Sequence, residues 1–479
     1  MLLAQLRHYD YVLDDPLIDE WMRTLGNRLA SASDQPEQSF TFFVIKDRSI
    51  NAFATLGGYI GTNAGLVLAA GREDEVAGVL AHEVAHVTQA HVLRGVERAQ
   101  RDSIPVLLAM LGAVALASQT DSRSSSNAAM AAVAGAQGLM IQRQIDYTRS
   151  NESEADRLGM RTLSRSGYDP GAMATMFERM QAMSRTNQGG ERERMPDYMS
   201  THPVTTTRIG ETRQLAEQYD GRHGGAFATS GLAGNSPLLP PGLRPGRGLD
   251  GGTPGARFGW ARERLRALSA NTAPQAIIEY GQLARSAPLD DAQRYGLAVA
   301  QLEAGNGSDA ARGFESLLAT YPDETWIQLG LAQAQARQGR HAEADSSFET
   351  LVARMPHNRA VVLAYAETLV ERRSAETGRR AQAILRPLVA GSAQDPVFHR
   401  TFARASEIAG DPVRAGEAWA ETAFLNGRAE QALMQLNTLR RRDDLDYYAR
   451  ARIDARIAAI TPTVLELRRQ GIRDPDLHK

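Results

Sequence analysis

Two histidines one helical turn apart, with a carboxylate beside the first, are the residues of this chain best placed to do chemistry. They lie in Ala81-His82-Glu83-Val84-Ala85-His86. A helix through this stretch puts His82 and His86 on one face (i, i+4), so both imidazoles can point at a single ion. Glu83 is then placed to reach a water on that ion. This H-E-x-x-H spacing serves zinc-assisted peptide hydrolysis, in which the metal acts as a Lewis acid and lowers the pKa of its bound water. With 10 His and 28 Glu among 479, the bare pattern arises by chance in roughly one such chain in eighty. A helix carrying two ordinary histidines is therefore the alternative that the rest of the chain has to displace.

The elements needed to position these groups are legible on both sides. Glu73, Asp74 and Glu75 stand where carboxylates suit the positive end of a helix dipole. Val76, Val79, Leu80, Glu83, Val84 and Val87 follow as a mixed apolar stripe of helical period. Upstream, residues 15–31 read as an amphipathic helix opened by Asp15, with Pro16 in its first turn. Residues 40–45, 50–54 and 59–62 read as short strands, separated by the Lys46-Asp47-Arg48 turn and Gly57-Gly58. Those strands either offer an edge to which an extended peptide can add, or form a plain sheet covering the helix. Downstream, Glu152 and Asp156 share a helix face (i, i+4). A His₂Glu site needs one carboxylate from another helix, and Glu152 is placed to supply it. Asp156 can accept the second ring N–H of a ligating His. Glu154 points to another face and reads as solvated. His91 falls five residues past His86, about 140° round a continuing helix, and reads as packed or solvated, not as a ligand.

Composition narrows the class. Hydrophobic residues at 43% and charged residues at 23% describe a globular protein, and the length favours two or three domains. The net charge of −2 with no large basic block points away from nucleic acid. The absence of cysteine excludes disulfides and thiolate ligands, leaving His and carboxylate for any metal. Met1-Leu2-Leu3-Ala4-Gln5-Leu6-Arg7 lacks the basic and apolar regions of a secretory signal, so the chain reads as cytoplasmic or as a form trimmed of its signal. No apolar run reaches the ~20 residues of a spanning helix.

Beyond the first helix, residues 104–140 read as two short apolar segments around a Ser-rich tip. They form either a flap or lipid-touching surface, or two helices that complete the core. Residues 222–257, rich in Gly and Pro, read as a flexible linker. Past it lies a repeat: Gly296-Leu297-Ala298 recurs as Gly330-Leu331-Ala332, Gly305 as Gly339, Ala310 as Ala344, Phe314 as Phe348 and Pro322 as Pro356, each 34 residues on. That period is the tetratricopeptide pattern of stacked helix pairs, whose concave face binds a peptide or partner. The expected fold is thus mainly α with a small β-sheet: a zincin-like metalloprotease domain (1–221), the linker (222–257) and an all-α tetratricopeptide solenoid (258–470).

His82-Glu83-x-x-His86 followed by Glu152-x-x-Ala155-Asp156 resembles the gluzincin metallopeptidases that include the CAAX prenyl endopeptidase and HtpX. Asn51-Ala52-Phe53-Ala54 with Gly57-Gly58 and Gly65-Leu66, then His82–His91, Ser166-Gly167-Tyr168-Asp169-Pro170, and His202-Pro203 with Arg208 extend the likeness over about residues 10–215. The soluble, periplasmic branch that combines protease and chaperone work is the most similar. The resemblance implies Zn2+ held by His82, His86 and Glu152, with Glu83 as general base and then acid, and Asp156 behind a ligand. It also implies that His202 takes a fourth metal position that keeps the site closed, and that Arg208 steadies the zinc-bound carboxylate or an oxyanion. It further implies a zinc endopeptidase of the periplasm acting on unfolded or stalled outer-membrane proteins. The solenoid would meet the outer-membrane assembly machinery, and 104–140 would offer a peripheral membrane contact. A latent protease fold serving mainly as a chaperone or adaptor scaffold is the competing expectation.

Overall fold

The computed structural model describes residues 2–98, 147–186, 197–220 and 257–471. The expected apolar hairpin at 104–140 and nearly all of the expected linker at 222–257 lie outside the described residues. Two compact units result, one of Met22–Phe43 with Arg48–Asn235, the other of Met1–Trp21, Val44–Asp47 and Ser236–Lys479. Among the described residues, no helix is long and apolar enough to cross a membrane.

A three-stranded sheet, β1 (Thr41–Ile45), β2 (Ala52–Thr55) and β3 (Tyr59–Asn63), has the order β1-β3-β2. β2 and β3 pair antiparallel, with Ala52 opposite Thr62 and Thr55 opposite Tyr59, and β2 is an edge. A short helix, α1 (Ala64–Ala69), leads into α2 (Glu73–Thr88), which carries the histidine pair. α2 is buried on nearly every face, not along one stripe. Its small residues make this possible: a Cβ on Gly78 would lie 3.0 Å from Met173 Cα of α3 (Gly171–Thr186). The acidic first turn of α2 is tied down as well as suited to the dipole. Glu73 accepts from the Tyr168 hydroxyl (3.1 Å), Asp74 from the Asp169 N–H (2.9 Å), and Glu75 from Arg179 Nε (3.1 Å). At the far end Gln35 donates to the Thr88 carbonyl (2.9 Å), satisfying one of the acceptors that a helix C-terminus leaves open.

The second unit is a stack of antiparallel helix pairs. Asp291–Glu303 with Gly307–Leu318, and Thr325–Arg337 with His341–Arg354, are the two pairs the 34-residue offsets pick out. Gly305 and Gly339 turn between the helices of each pair at φ 82° and 76°, a region costly for any residue with a Cβ. Phe314 and Phe348 are fully buried. The N-terminal residues belong to this unit too, and a buried ion pair secures them. Asp15 caps the helix Pro16–Ala32 by accepting from the Ile18 N–H (3.0 Å) and accepts from Arg264 Nε and Nη2 at 2.8 and 2.7 Å. Burial pushes the Asp15 carboxyl up, and the Arg264 guanidinium outweighs it and holds the group below its ordinary value.

Removing one partner of a buried pair leaves the other charge uncompensated. Arg264→Met is expected to cost about 3–5 kcal/mol of unfolding free energy. Adding Asp15→Asn, which keeps a capping oxygen, should recover part of that loss. Urea unfolding of wild type, both single variants and the double variant checks this; a double variant less stable than Arg264→Met alone would contradict it.

Candidate metal centre

Four side chains from three places in the chain meet at one point. His82 and His86 come from α2, Glu152 from the helical residues 147–165, and His202 from just past the one-turn helix Asp197–Thr201. One ligand atom from each lies within 4.8 Å of all the others. His82 Nε2 is 2.9 Å from His86 Nε2 and 3.4 Å from both Glu152 Oε2 and His202 Nδ1. His202 Nδ1 is 3.0 Å from Glu152 Oε1. Donor atoms arranged tetrahedrally at zinc-like bond lengths stand about 3.3 Å from one another. The residues present therefore fit a small divalent cation in spacing and in chemistry, three imidazoles and one carboxylate with no thiolate.

The approach of the two helices is set by Gly159, one turn past Asp156 and two past Glu152. A Cβ there would lie 3.0 Å from the Cα and N of His82, so only glycine lets the ligand helix come so close. Behind the donors, Asp156 Oδ1 is 2.9 Å from His82 Nδ1. Arg208 donates from Nε and Nη2 to the two oxygens of Asp156 (2.8 and 2.7 Å), and its Nη1 is 2.9 Å from both Glu152 Oε2 and the Pro203 carbonyl. The guanidinium lies over the Phe177 ring, 5.0 Å from its centroid. Thus Arg208, in the first turn of Thr206–Asp220, touches both carboxylates and is 7% exposed.

The charges are strongly coupled. Burial drives the Glu152 carboxyl up, but contacts from His202, His82 and His86 outweigh it and hold the group well below the usual range. Burial likewise opposes the charged form of His82, yet Asp156 and Glu152 raise it to about 10. His86 goes the other way, to about 4, through burial and the neighbouring His82 charge.

Glu83 is fully buried, and neither of its carboxylate oxygens has a hydrogen-bond partner among the described residues. His202 Nε2, at 3.6 Å from Glu83 Oε1, is the ion-pairing group nearest to it. His202 thus faces Glu83 with Nε2 and the other donors with Nδ1. Its ring stacks on Tyr198, centroids 4.7 Å apart. Tyr198 was not anticipated from sequence, although its position four residues before His202 carries a readable i, i+4 signal. Its backbone N–H donates to the Ile50 carbonyl (3.0 Å). Phe177 left no signal at all, being one apolar residue among several in its helix.

His91 is packed and is not among the four donors, as expected, but it does not lie where a continuous helix would put it. α2 ends at Thr88, and Ala90 takes a left-handed φ of 52°. The chain therefore doubles back, and His91 faces His86 with their Nδ1 atoms 2.8 Å apart. Glu154, expected to be solvated, accepts from His91 Nε2 (3.0 Å) and Arg94 Nη2 (2.9 Å).

The arrangement is a candidate metal centre in one unit, followed in sequence by helical repeats. Residues 16–216 match Peptidase family M48, and residues 291–324 match the tetratricopeptide repeat. The chain is 40% identical over 217 residues to the putative beta-barrel assembly-enhancing protease of Vibrio cholerae, covering 45% of this chain and 43% of that one. It is 36% identical over 216 residues to the beta-barrel assembly-enhancing protease of Escherichia coli K12, 45% of this chain and 42% of the relative. With the mitochondrial metalloendopeptidase OMA1 of Arabidopsis thaliana it shares 28% identity over 194 residues, 40% and 35% of the two chains. The chain thus spans about two fifths of the length of the curated beta-barrel assembly-enhancing proteases it matches. Residues 16–216 are thus similar to M48 peptidases, and the helices past them include a stretch similar to the tetratricopeptide repeat.

Because His82 holds a proton that metal ligation must expel, loading a divalent ion at neutral pH is expected to release about one proton, and affinity to rise about tenfold per pH unit between 6.5 and 8. Calorimetric titration in buffers of different ionisation enthalpy counts that proton. Affinity independent of pH would contradict it.

Proposed function

We propose that the chain is a zinc-dependent endopeptidase of the periplasm that acts on misfolded or stalled outer-membrane proteins. One observation carries the catalytic half of this reading: three buried donors from two helices converge, next in sequence to a buried carboxylate, Glu83, whose oxygens have no partner among the described residues. His82, His86 and Glu152 would hold Zn2+, a borderline ion suited to imidazole and carboxylate. The bound ion supplies a Lewis acid and an acidified water. Glu83 takes the proton from the attacking water and delivers it to the leaving amine, and its burial without a fixed partner suits a group that must change protonation state in each cycle. Asp156 orients His82 through Nδ1. Arg208 acts through the carboxylates it touches, holding Glu152 and Asp156 in place. The exposed edge of β2, packed near α2, offers an extended substrate a strand to pair with.

The outer-membrane half of the reading rests on the printed names of the relatives, which are beta-barrel assembly-enhancing proteases. The solenoid, with its stacked pairs and concave face, is the part suited to the assembly machinery or a client segment. Residues 104–140, apolar on both sides of a polar tip, are assigned a peripheral membrane contact on sequence grounds alone.

His202 favours a second reading alongside the first. Its Nδ1 sits with the other donors while its Nε2 faces Glu83 Oε1 at 3.6 Å, which supports a site held closed, with the protein working as a chaperone or adaptor until the ring moves. Two substitutions separate the readings. Glu83→Gln is expected to keep one zinc per chain and to lose cleavage of an unfolded barrel protein by about 10²–10⁴-fold, followed by peptide mapping with metal analysis; equal cleavage would remove Glu83 from the mechanism. His202→Ala is expected to raise basal proteolysis several-fold while zinc content holds. Unchanged or lower proteolysis would show that the ring does not close the site.

A further inference from the structure

We infer that His91 is a positioning residue that fixes the orientation and tautomer of His86 through a one-directional chain of hydrogen bonds ending at the surface. The inference rests on the reading of His86 as a metal ligand.

The direction of the chain follows from counting protons. A histidine that ligates through Nε2 must carry its hydrogen on Nδ1, and that hydrogen needs an acceptor. The ligand His82 finds a carboxylate, Asp156. His86 finds none. The atom 2.8 Å from its Nδ1 is the Nδ1 of His91. Two N–H groups cannot face each other at that distance, so His91 Nδ1 must present its lone pair. The single proton of a neutral His91 ring is then on Nε2, where Glu154 Oε2 accepts it at 3.0 Å. Glu154 in turn accepts from Arg94 Nη2 at 2.9 Å. Each link sets the next: Arg94 keeps Glu154 an acceptor, Glu154 keeps the His91 proton on Nε2, and His91 keeps the His86 proton on Nδ1.

Burial and backbone both indicate a built arrangement. His91 is 4% exposed. Its ring meets that of His86 edge-on, centroids 4.7 Å apart at 76°. Ala90 pays for the turn that brings it there, with φ at 52°, a conformation disfavoured for any residue with a Cβ. The Arg94 N–H donates to the Ala90 carbonyl (2.9 Å), so the next helix starts at once and places Arg94 over Glu154.

The test uses the full chain and reads zinc affinity by competition with a chromophoric chelator, with the melting temperature of the metal-free protein measured alongside. His91→Ala is expected to weaken zinc binding by about 10–100-fold. His91→Asn should keep affinity within about threefold of wild type, since its Oδ1 takes the place of the Nδ1 lone pair. His91→Gln, whose polar atoms reach toward Glu154 instead, should behave like His91→Ala. Equal affinity in all four proteins would overturn the inference. So would equal losses in His91→Asn and His91→Gln, or a loss that follows the melting temperature alone. Absence of zinc binding by wild type would instead overturn the metal-ligand reading on which the inference stands.

Discussion

One guanidinium governs the architecture of the metal centre. Two carboxylates, Glu152 and Asp156, lie one helical turn apart, each 4% exposed. Like charges so placed repel, and each alone pays a large desolvation cost. Arg208 touches both, with two donor contacts to Asp156 and one to Glu152. Burial works against its charge as well, yet the two carboxylates hold its proton more firmly than usual. The group therefore supplies a fixed positive charge that lets two anions face two imidazoles in a nearly dry interior. Its place on the helix that follows His202 explains why the domain cannot end at the ligand helix: the charge that balances the ligand helix comes from some fifty residues later in sequence.

Packing complements that electrostatic constraint. α2 carries small residues of its own, Gly78 among them, that let α3 approach closely, and Gly159 brings the ligand helix against the backbone of His82. Close approach by glycine replaces side-chain volume with backbone contact, and that fixes the distance between imidazoles and carboxylate more tightly than interdigitated side chains would. The acidic turn at the start of α2 then serves twice, by favouring the helix dipole and by anchoring the chain that leaves the ligand helix at Tyr168 and Asp169.

Much of this was legible in the sequence because it is local. The i, i+4 spacing of His82 and His86, the acidic first turn of α2, the three short strands and the 34-residue helix pairs each depend on a period shorter than the element that carries it. Glu152 could be proposed from the demand for a carboxylate on another helix, but only the folded chain brings it to His82. The place of His91 escaped because helical geometry was extended past Thr88, where one left-handed residue, Ala90, reverses the chain. No local signal marks an alanine for that role. Glu154 escaped with it, since its partner was placed on the wrong side. Tyr198 carried a usable signal, a ring one turn before His202, that makes sense only once His202 is seen to need support.

The four donors do not stand on equal footing. His82 and His86 lie on a sixteen-residue helix buried on all sides, and Glu152 on the long helical stretch 147–165 packed against it. His202 follows a helix of five residues, too short to be stable by its own hydrogen bonds. Its position depends on the stacking of Tyr198, on one backbone bond from Tyr198 to Ile50, and on the contact of its own ring with Glu152. Local opening free energies scale with such contacts, so this donor is the cheapest of the four to displace. Ile50 immediately precedes the residues leading into edge strand β2. The carbonyl that anchors the Tyr198–His202 turn therefore sits two residues before the edge at which an extended chain can pair.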